Sequence, residues 1–238
     1  MNIFQEFSAL IEELFRIWPG SVGYKLRWLY YRRRLKYLGN NVRISPGVRL
    51  IGHKHISIGD DTDINFGCMI ISGLVGQDEA EFHRVSNPAF QGSEGEVLIG
   101  KGVHIAPGVY ILGHGGVQVG DCSGLAGGTR VLSMTNHYAS FLDWYRRDMY
   151  FSSRAGREHA CYIIGPVVLG RNVGIASNCV ILPGAQLCDE SFLAIASVAH
   201  QGVIAANMIA SGNPAVPIKE RFLPLPNKLG RTISSIEP

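Results

Sequence analysis

Aliphatic or small residues recur every six positions through the C-terminal half of the chain: Ile163, Leu169, Ile175, Ile181, Leu187, Leu193 and Ala199. Four residues after each stands a second interior-type residue, in the order Val167, Val173, Cys179, Ala185, Ser191, Ser197 and Val203. A helical face repeats every three or four residues and a strand face every two, so a period of six describes neither. It describes one short strand and one turn, repeated, each unit giving a large and a small side chain to a narrow interior. The spacing predicts an all-β solenoid, a parallel β-helix of hexapeptide repeats. The same beat runs through Ile44 and Leu50, Ile58, Ile64 and Ile70, Ile99, Ile105 and Ile111, and Val119, Leu125 and Val131. Slips of two residues at Ile56–Ile58 and Val117–Val119 are expected in corner turns. Gly47, Gly59, Gly100, Gly108, Gly120, Gly170 and Gly184 are expected at tight corners, where glycine takes unusual backbone conformations at little cost.

The beat is missing in four segments. Residues 3–18 have helical spacing instead, with Ile3, Phe7, Leu10, Leu14 and Trp18 among one apolar face, and Pro19-Gly20 ends it. Residues 24–38 then mix Trp28, Tyr30, Tyr31 and Tyr37 with six basic residues. Two readings stay open for that stretch: it caps the end of the solenoid, or it lies on an anionic membrane with rings at headgroup level. The remaining gaps are 72–97, polar and glycine-bearing, and 138–162, which combines aromatics and arginines with Asp143, Asp148 and Glu158. The expected organisation is a helical segment over 1–40, a solenoid over 41–210 with insertions at 72–97 and 138–162, and a tail over 211–238.

Composition narrows the classes. A formal charge of +3 is too small to point to nucleic acid. Five cysteines without a secretory leader suit a reducing compartment, and Cys68 and Cys179 sit at interior positions of the repeat. No apolar run reaches membrane-spanning length, and Glu6, Glu12 and Glu13 occupy the place of a basic leader. The expected location is cytoplasmic, with residues 24–38 as the one candidate for contact with the inner face of a membrane.

A regular wall is a scaffold, so chemistry is sought where it is interrupted. The 138–162 insertion begins directly after Met134-Thr135-Asn136-His137. A histidine where a wall gives way to a long excursion is well placed to face a cleft. That element, with Val168-Leu169-Gly170-Arg171-Asn172-Val173-Gly174-Ile175-Ala176, Val180-Ile181-Leu182-Pro183-Gly184 and Ser211-Gly212-Asn213-Pro214-Ala215, resembles the hexapeptide-repeat acyltransferases. This is the group of galactoside, maltose, serine and xenobiotic acetyltransferases, and within it the chain is most similar to capsule and O-antigen O-acetyltransferases. Pro19 to Gly23 with Leu26-Arg27, followed by Gly39 to Ile44, is also similar to that subgroup.

The resemblance implies a left-handed coil, a homotrimer and a CoA-dependent O-acetyltransferase that takes acetyl from acetyl-CoA to a sugar hydroxyl in surface-polysaccharide or lipopolysaccharide synthesis, without a metal. His137 matches the family's catalytic histidine, a general base for a poorly nucleophilic hydroxyl. Asn65, and Asp63 two residues before it, match an acceptor-binding position. Ser177 and Ile195 match contacts to the pantetheine arm. His200 and Gln201 fall where relatives often carry a Thr-Lys pair toward the phosphates, and Lys219 and Arg221 are the candidates to replace that charge. Trp144 and Arg146 in the insertion suit sugar rings and anionic groups, although the loop's arginines could equally pair with its own acids. The alternatives are a sugar N-acetyltransferase, a carbonic-anhydrase-like metal hydratase, which needs three histidines around zinc and whose closely spaced pair His104 and His114 do not reproduce, and a non-catalytic scaffold.

Overall fold

The computed structural model describes residues 3–76, 79–152 and 154–223; the tail beyond 223 lies outside them. From Tyr37 onward the chain deals short strands into three sheets in rotation. Wall A takes Tyr37–Leu38, Ile56–Ile58, Val97–Ile99, Val117–Val119, Val167–Leu169, Ala185–Leu187 and Gly202–Ile204. Wall B runs from Arg43–Ile44 to Met208–Gly212, and wall C from Arg49–Ile51 to Val198–Ala199. Neighbours within each wall are parallel and one circuit apart in sequence, except where an insertion intervenes. At the last circuit Ala215–Glu220 folds back antiparallel on Met208–Gly212.

The interior is a stack of equivalent side chains. In wall B, Ile44, Ile64, Ile105, Leu125, Ile175, Leu193 and Ala210 lie one above another, each no more than 2% exposed. Wall C repeats this with Leu50, Ile70, Ile111, Val131, Ile181 and Ala199. Burying each large aliphatic contributes about 1.5–3 kcal/mol. Wall A shows the core two side chains per strand, as with Ile56 and Ile58 or Val117 and Val119. Those pairs are therefore strand partners on one face, not slips inside corners. Two members of the expected series depart from it. Ile163 belongs to a strand outside the walls, and Val203 is exposed because Gly202 pairs with Ala185, which hands the interior position to Ile204.

The corners use two devices. Where wall A turns into wall B, one residue per circuit is left-handed, including Asn41, Asp61, Cys122, Asn172, Glu190 and Asn207. The glycines just before these are present for a different reason. A Cβ on Gly59 would lie 2.6 Å from the carbonyl carbon of Gly100 in the next circuit, so Gly59 permits close stacking rather than an unusual φ.

The first circuit is closed by two helices, α1 (Ile3–Ile17) and α2 (Gly20–Arg32). Arg27 of α2 is fully buried and donates Nε–H to the carbonyl of Ile44 at 2.6 Å. Its Nη1 donates to the carbonyls of Phe15 and Trp18, which fixes α1 to α2 and both to wall B. Burial holds the guanidinium pKa below its ordinary range, and carbonyl acceptors offset part of that cost. Glu12 accepts from the hydroxyls of Tyr30 and Tyr31, both at 3.1 Å. These contacts put α2 over the end of the coil. No described helix is long and apolar enough to cross a membrane.

Candidate active site

The site-bearing region stands at the corner where wall C turns into wall A. The chain leaves the coil there after Met69–Ile71 and again after Arg130–Leu132. The two excursions do not project separately. Cys161–Ile164 lies in the middle of a three-stranded sheet, antiparallel to Met134–Asn136 and parallel to Glu81–Arg84. Phe82 and Tyr162 stack across it, with ring centroids 5.4 Å apart.

His137 follows directly on Met134–Asn136. Its N–H donates to the Cys161 carbonyl at 2.8 Å, so the backbone is held by the returning strand. In the side chain, Nδ1 lies 2.8 Å from the Ala139 carbonyl and 3.3 Å from the Ala139 N–H. The two contacts need opposite tautomers. The shorter one decides, because a carbonyl can only accept; in the neutral imidazole this assigns the proton to Nδ1. Nε2 then has its lone pair free, with no hydrogen-bond partner among the described residues. The imidazole stacks on Phe141 at 4.1 Å and 26°, lies 4.3 Å from the Tyr138 ring and meets Trp144 edge-on at 5.9 Å.

Neither acid near His137 in sequence is its partner. The Asp143 carboxylate accepts from the Tyr145 N–H, and Asp148 takes Arg146 and His159. The orienting group is a main-chain carbonyl, which no side-chain motif could reveal.

Arg146 turns out to serve the insertion itself. It forks onto Asp148 at 2.7 and 3.2 Å, donates to the Glu158 carbonyl at 2.7 Å and lies 3.4 Å from Glu81. A hydrogen bond from this guanidinium, with its charge, holds the Asp148 carboxyl below its ordinary range, and Asp148 in turn raises Arg146. Trp144, by contrast, is 58% exposed beside His137.

Asp63 faces outward on wall B, bonded to Arg43 at 2.9 Å and 3.9 Å from His104. Asn65 donates to the Ile105 carbonyl at the corner of walls B and C. His137 stands at the other edge of wall C, two circuits further along, so one chain does not join these residues to it. Ser177 and Ile195 occupy the B–C corner in consecutive circuits, linked by Ala196 N–H to the Ser177 carbonyl at 3.0 Å. His200 and Gln201 follow Val198–Ala199 at the C–A corner, with His200 Nε2 3.0 Å from Asn213 Oδ1. These four flank the outer face of wall C. Lys219 and Arg221 do not. Lys219 lies on the strand folded against wall B, and Arg221 donates to the carbonyls of Asn172 and Glu190 at the A–B corner.

Wall C carries two exposed arginines among the described residues, Arg49 in its first strand and Arg130, whose neighbours in the ladder are Tyr110 and Val180 and which has no ion pair among the described residues. Arg130 points outward on the strand that leads directly into Met134–Asn136 and His137. Among the described residues no three His, Cys, Asp or Glu side chains converge as a metal would require.

No family model matches the sequence. The chain is 26% identical over 186 residues, 78% of its own length and 82% of the relative's, to the dTDP-4-amino-4,6-dideoxy-D-glucose acyltransferase of Escherichia coli. Its fold is similar to that of AntD, an N-acyltransferase from Bacillus cereus solved with dTDP and 3-hydroxybutyryl-CoA, with a TM-score of 0.62 at 18% identity, covering 83% of this chain and 87% of that one. It is also similar to a maltose O-acetyltransferase from Clostridium difficile, with a TM-score of 0.53 at 18% identity over 90% and 84% of the two chains.

Proposed function

We propose that this chain, similar to sugar acyltransferases along about four-fifths of its length, is a hexapeptide-repeat enzyme that transfers an acetyl group from acetyl-CoA to a sugar hydroxyl. The observation that carries this reading is the His137 imidazole, with Nδ1–H tied to a carbonyl and Nε2 left free. As the acceptor oxygen attacks the thioester carbonyl, Nε2 takes the hydroxyl proton. The tetrahedral intermediate then collapses, the C–S bond breaks, and Nε2–H returns the proton to the CoA thiolate. No acyl-enzyme is needed. Trp144, exposed at the rim, offers a face for a sugar ring.

In this reading the coil is left-handed and the pantetheine arm crosses the outer face of wall C, between Ser177 and Ile195 on one edge and His200 and Gln201 on the other. Arg130 supplies charge there in place of Lys219 and Arg221. Asn65 and Asp63 complete the site from a neighbouring copy in a trimer, since they lie away from His137 within one chain. A surface-polysaccharide or lipopolysaccharide precursor is the acceptor class, met at the cytoplasmic face of the membrane.

An amine acceptor is the second reading, favoured by the Escherichia coli relative, which is named for an amino sugar. The base argues for the hydroxyl: a neutral amine attacks a thioester unaided, whereas an alcohol needs its proton removed. Incubating the protein and acetyl-CoA with paired dTDP-6-deoxyhexoses that differ only in a 4-hydroxyl or 4-amino group, and reading the products by mass spectrometry, decides between them. Ester formation is expected. Amide alone would reverse the acceptor assignment, and neither product with CoA release absent would remove the transferase reading for this acceptor class.

A further inference from the structure

The first excursion reaches the candidate site through the side chains of Glu81 and His83. Glu81, on the strand Glu81–Arg84, is 12% exposed and sends its carboxylate under the start of the second insertion. Oε1 accepts from the Ser140 hydroxyl at 2.8 Å and Oε2 from the Phe141 N–H at 3.0 Å. Ser140 is fully buried, and its oxygen in turn accepts the N–H groups of Leu142 and Asp143. One carboxylate thus fixes a tight turn whose first residue, Ala139, holds Nδ1 of His137 and whose third, Phe141, shelves the imidazole. His83, two residues along the same strand, stacks on Phe141 at 4.2 Å and 18°. Two rings cannot share one face of Phe141 at that distance, so His83 backs the face opposite His137. Glu81 is also opposite Cys161, whose carbonyl takes the His137 N–H.

We propose that Glu81 is a positioning residue for the transfer reaction: it fixes residues 139–141 so that His137 is held as the Nδ1–H tautomer with Nε2 directed to the acceptor. A carboxylate suits the task because it offers two charge-strengthened acceptors to two adjacent donors at once. A histidine base needs both an in-plane bond and a packed face to keep its lone pair on line, and misplacement of about 1 Å costs up to roughly 100-fold in rate. The inference rests on the reading of His137 as the base.

The test compares wild type, Glu81→Ala and Glu81→Gln, each checked for folding by circular dichroism. Nitrogen-15 NMR of labelled histidine reports the His137 tautomer, and calorimetry reports acetyl-CoA affinity. Glu81→Ala is expected to lose the single Nδ1–H tautomer and to lower kcat on the order of 10- to 100-fold, with acetyl-CoA affinity unchanged. Glu81→Gln keeps one acceptor and should fall between, and it carries the test alone if the alanine variant does not fold. An unchanged tautomer in either folded variant overturns the proposal, as does loss of acetyl-CoA affinity in step with kcat. A fully active His137→Ala would instead sink the base, and the tautomer measurement would still judge Glu81 separately.

Discussion

The coil and its two excursions are stabilised by different interactions. In the walls, aliphatic side chains such as Ile64, Ile105 and Leu125 stack in register and are fully buried, and adjacent circuits are joined by regular backbone ladders with side-chain bonds such as Thr62 to Gly100 and Ser123 to Gly170 at the corners. In the excursions, rings stay half-open to solvent and order comes from Glu81, Ser140, Arg146 and Asp148. The difference teaches that stability and chemistry are separable here. A wall residue can be damaged without touching His137, and His137 can be removed without touching the core.

The strongest way to break that separation is at the proposed base. His137→Ala is expected to lower kcat by a factor on the order of 10²–10⁴ while the urea unfolding midpoint stays put. A large loss of stability would show that the imidazole belongs to the scaffold. The mirror experiment is Leu125→Ala, which should cost about 2–5 kcal/mol of unfolding free energy yet leave kcat per folded molecule close to wild type.

A smaller effect is expected where polar bonds tie α1 to the coil end. Burial raises the Glu12 carboxyl, but bonds from His53, Tyr31 and Tyr30 outweigh it and leave the pKa lowered. Because the folded value is depressed, this contribution is present above the unfolded value of 4.5 and disappears as pH falls through the folded one. Glu12→Gln should cost about 1–2 kcal/mol at neutral pH. The gap between variant and wild type should close on acidification below 4.5, as read by thermal melts across pH. A gap constant with pH would assign the loss to shape rather than charge. Smallest is Trp144→Ala, expected to raise acceptor KM about three- to tenfold, in keeping with roughly 0.5–1.5 kcal/mol for a ring contact, with acetyl-CoA affinity held. Collapse of acetyl-CoA affinity instead would move the insertion to the cofactor side of the site.

Much of this was readable from spacing. The beat through Ile44, Ile64, Ile105 and Leu125 sets one interior position per circuit, and any repeat that buries a side chain every circuit leaves that trace in the chain. The two gaps in the beat marked the excursions, and the position of His137 at the edge of one is what made it a candidate. The pairing of Cys161 with Glu81 left no such trace, because a backbone ladder between two irregular segments imposes no periodicity on either. Ile163 was counted with the walls for the same reason: its six-residue spacing from Leu169 is real, but its strand partners are Thr135 and His83. The roles of Arg146 and Arg221 depended on carbonyls and carboxylates brought near by folding, so their charge alone pointed equally well to a ligand.

The bracing of one excursion by the other also has a consequence for synthesis. Successive circuits can stack as they leave the ribosome, each on the one before, since domains assemble from the N-terminus as they emerge. Glu81–Arg84 has no such neighbour to join until Cys161–Ile164 has been made, two whole circuits later. For that interval a strand edge with Phe82 on it waits unpaired beside a growing wall. The part of the molecule proposed for catalysis is therefore the part that a nascent chain leaves open longest, and a stall or truncation between residues 84 and 161 would yield a stacked coil whose strand Glu81–Arg84 lacks its partner.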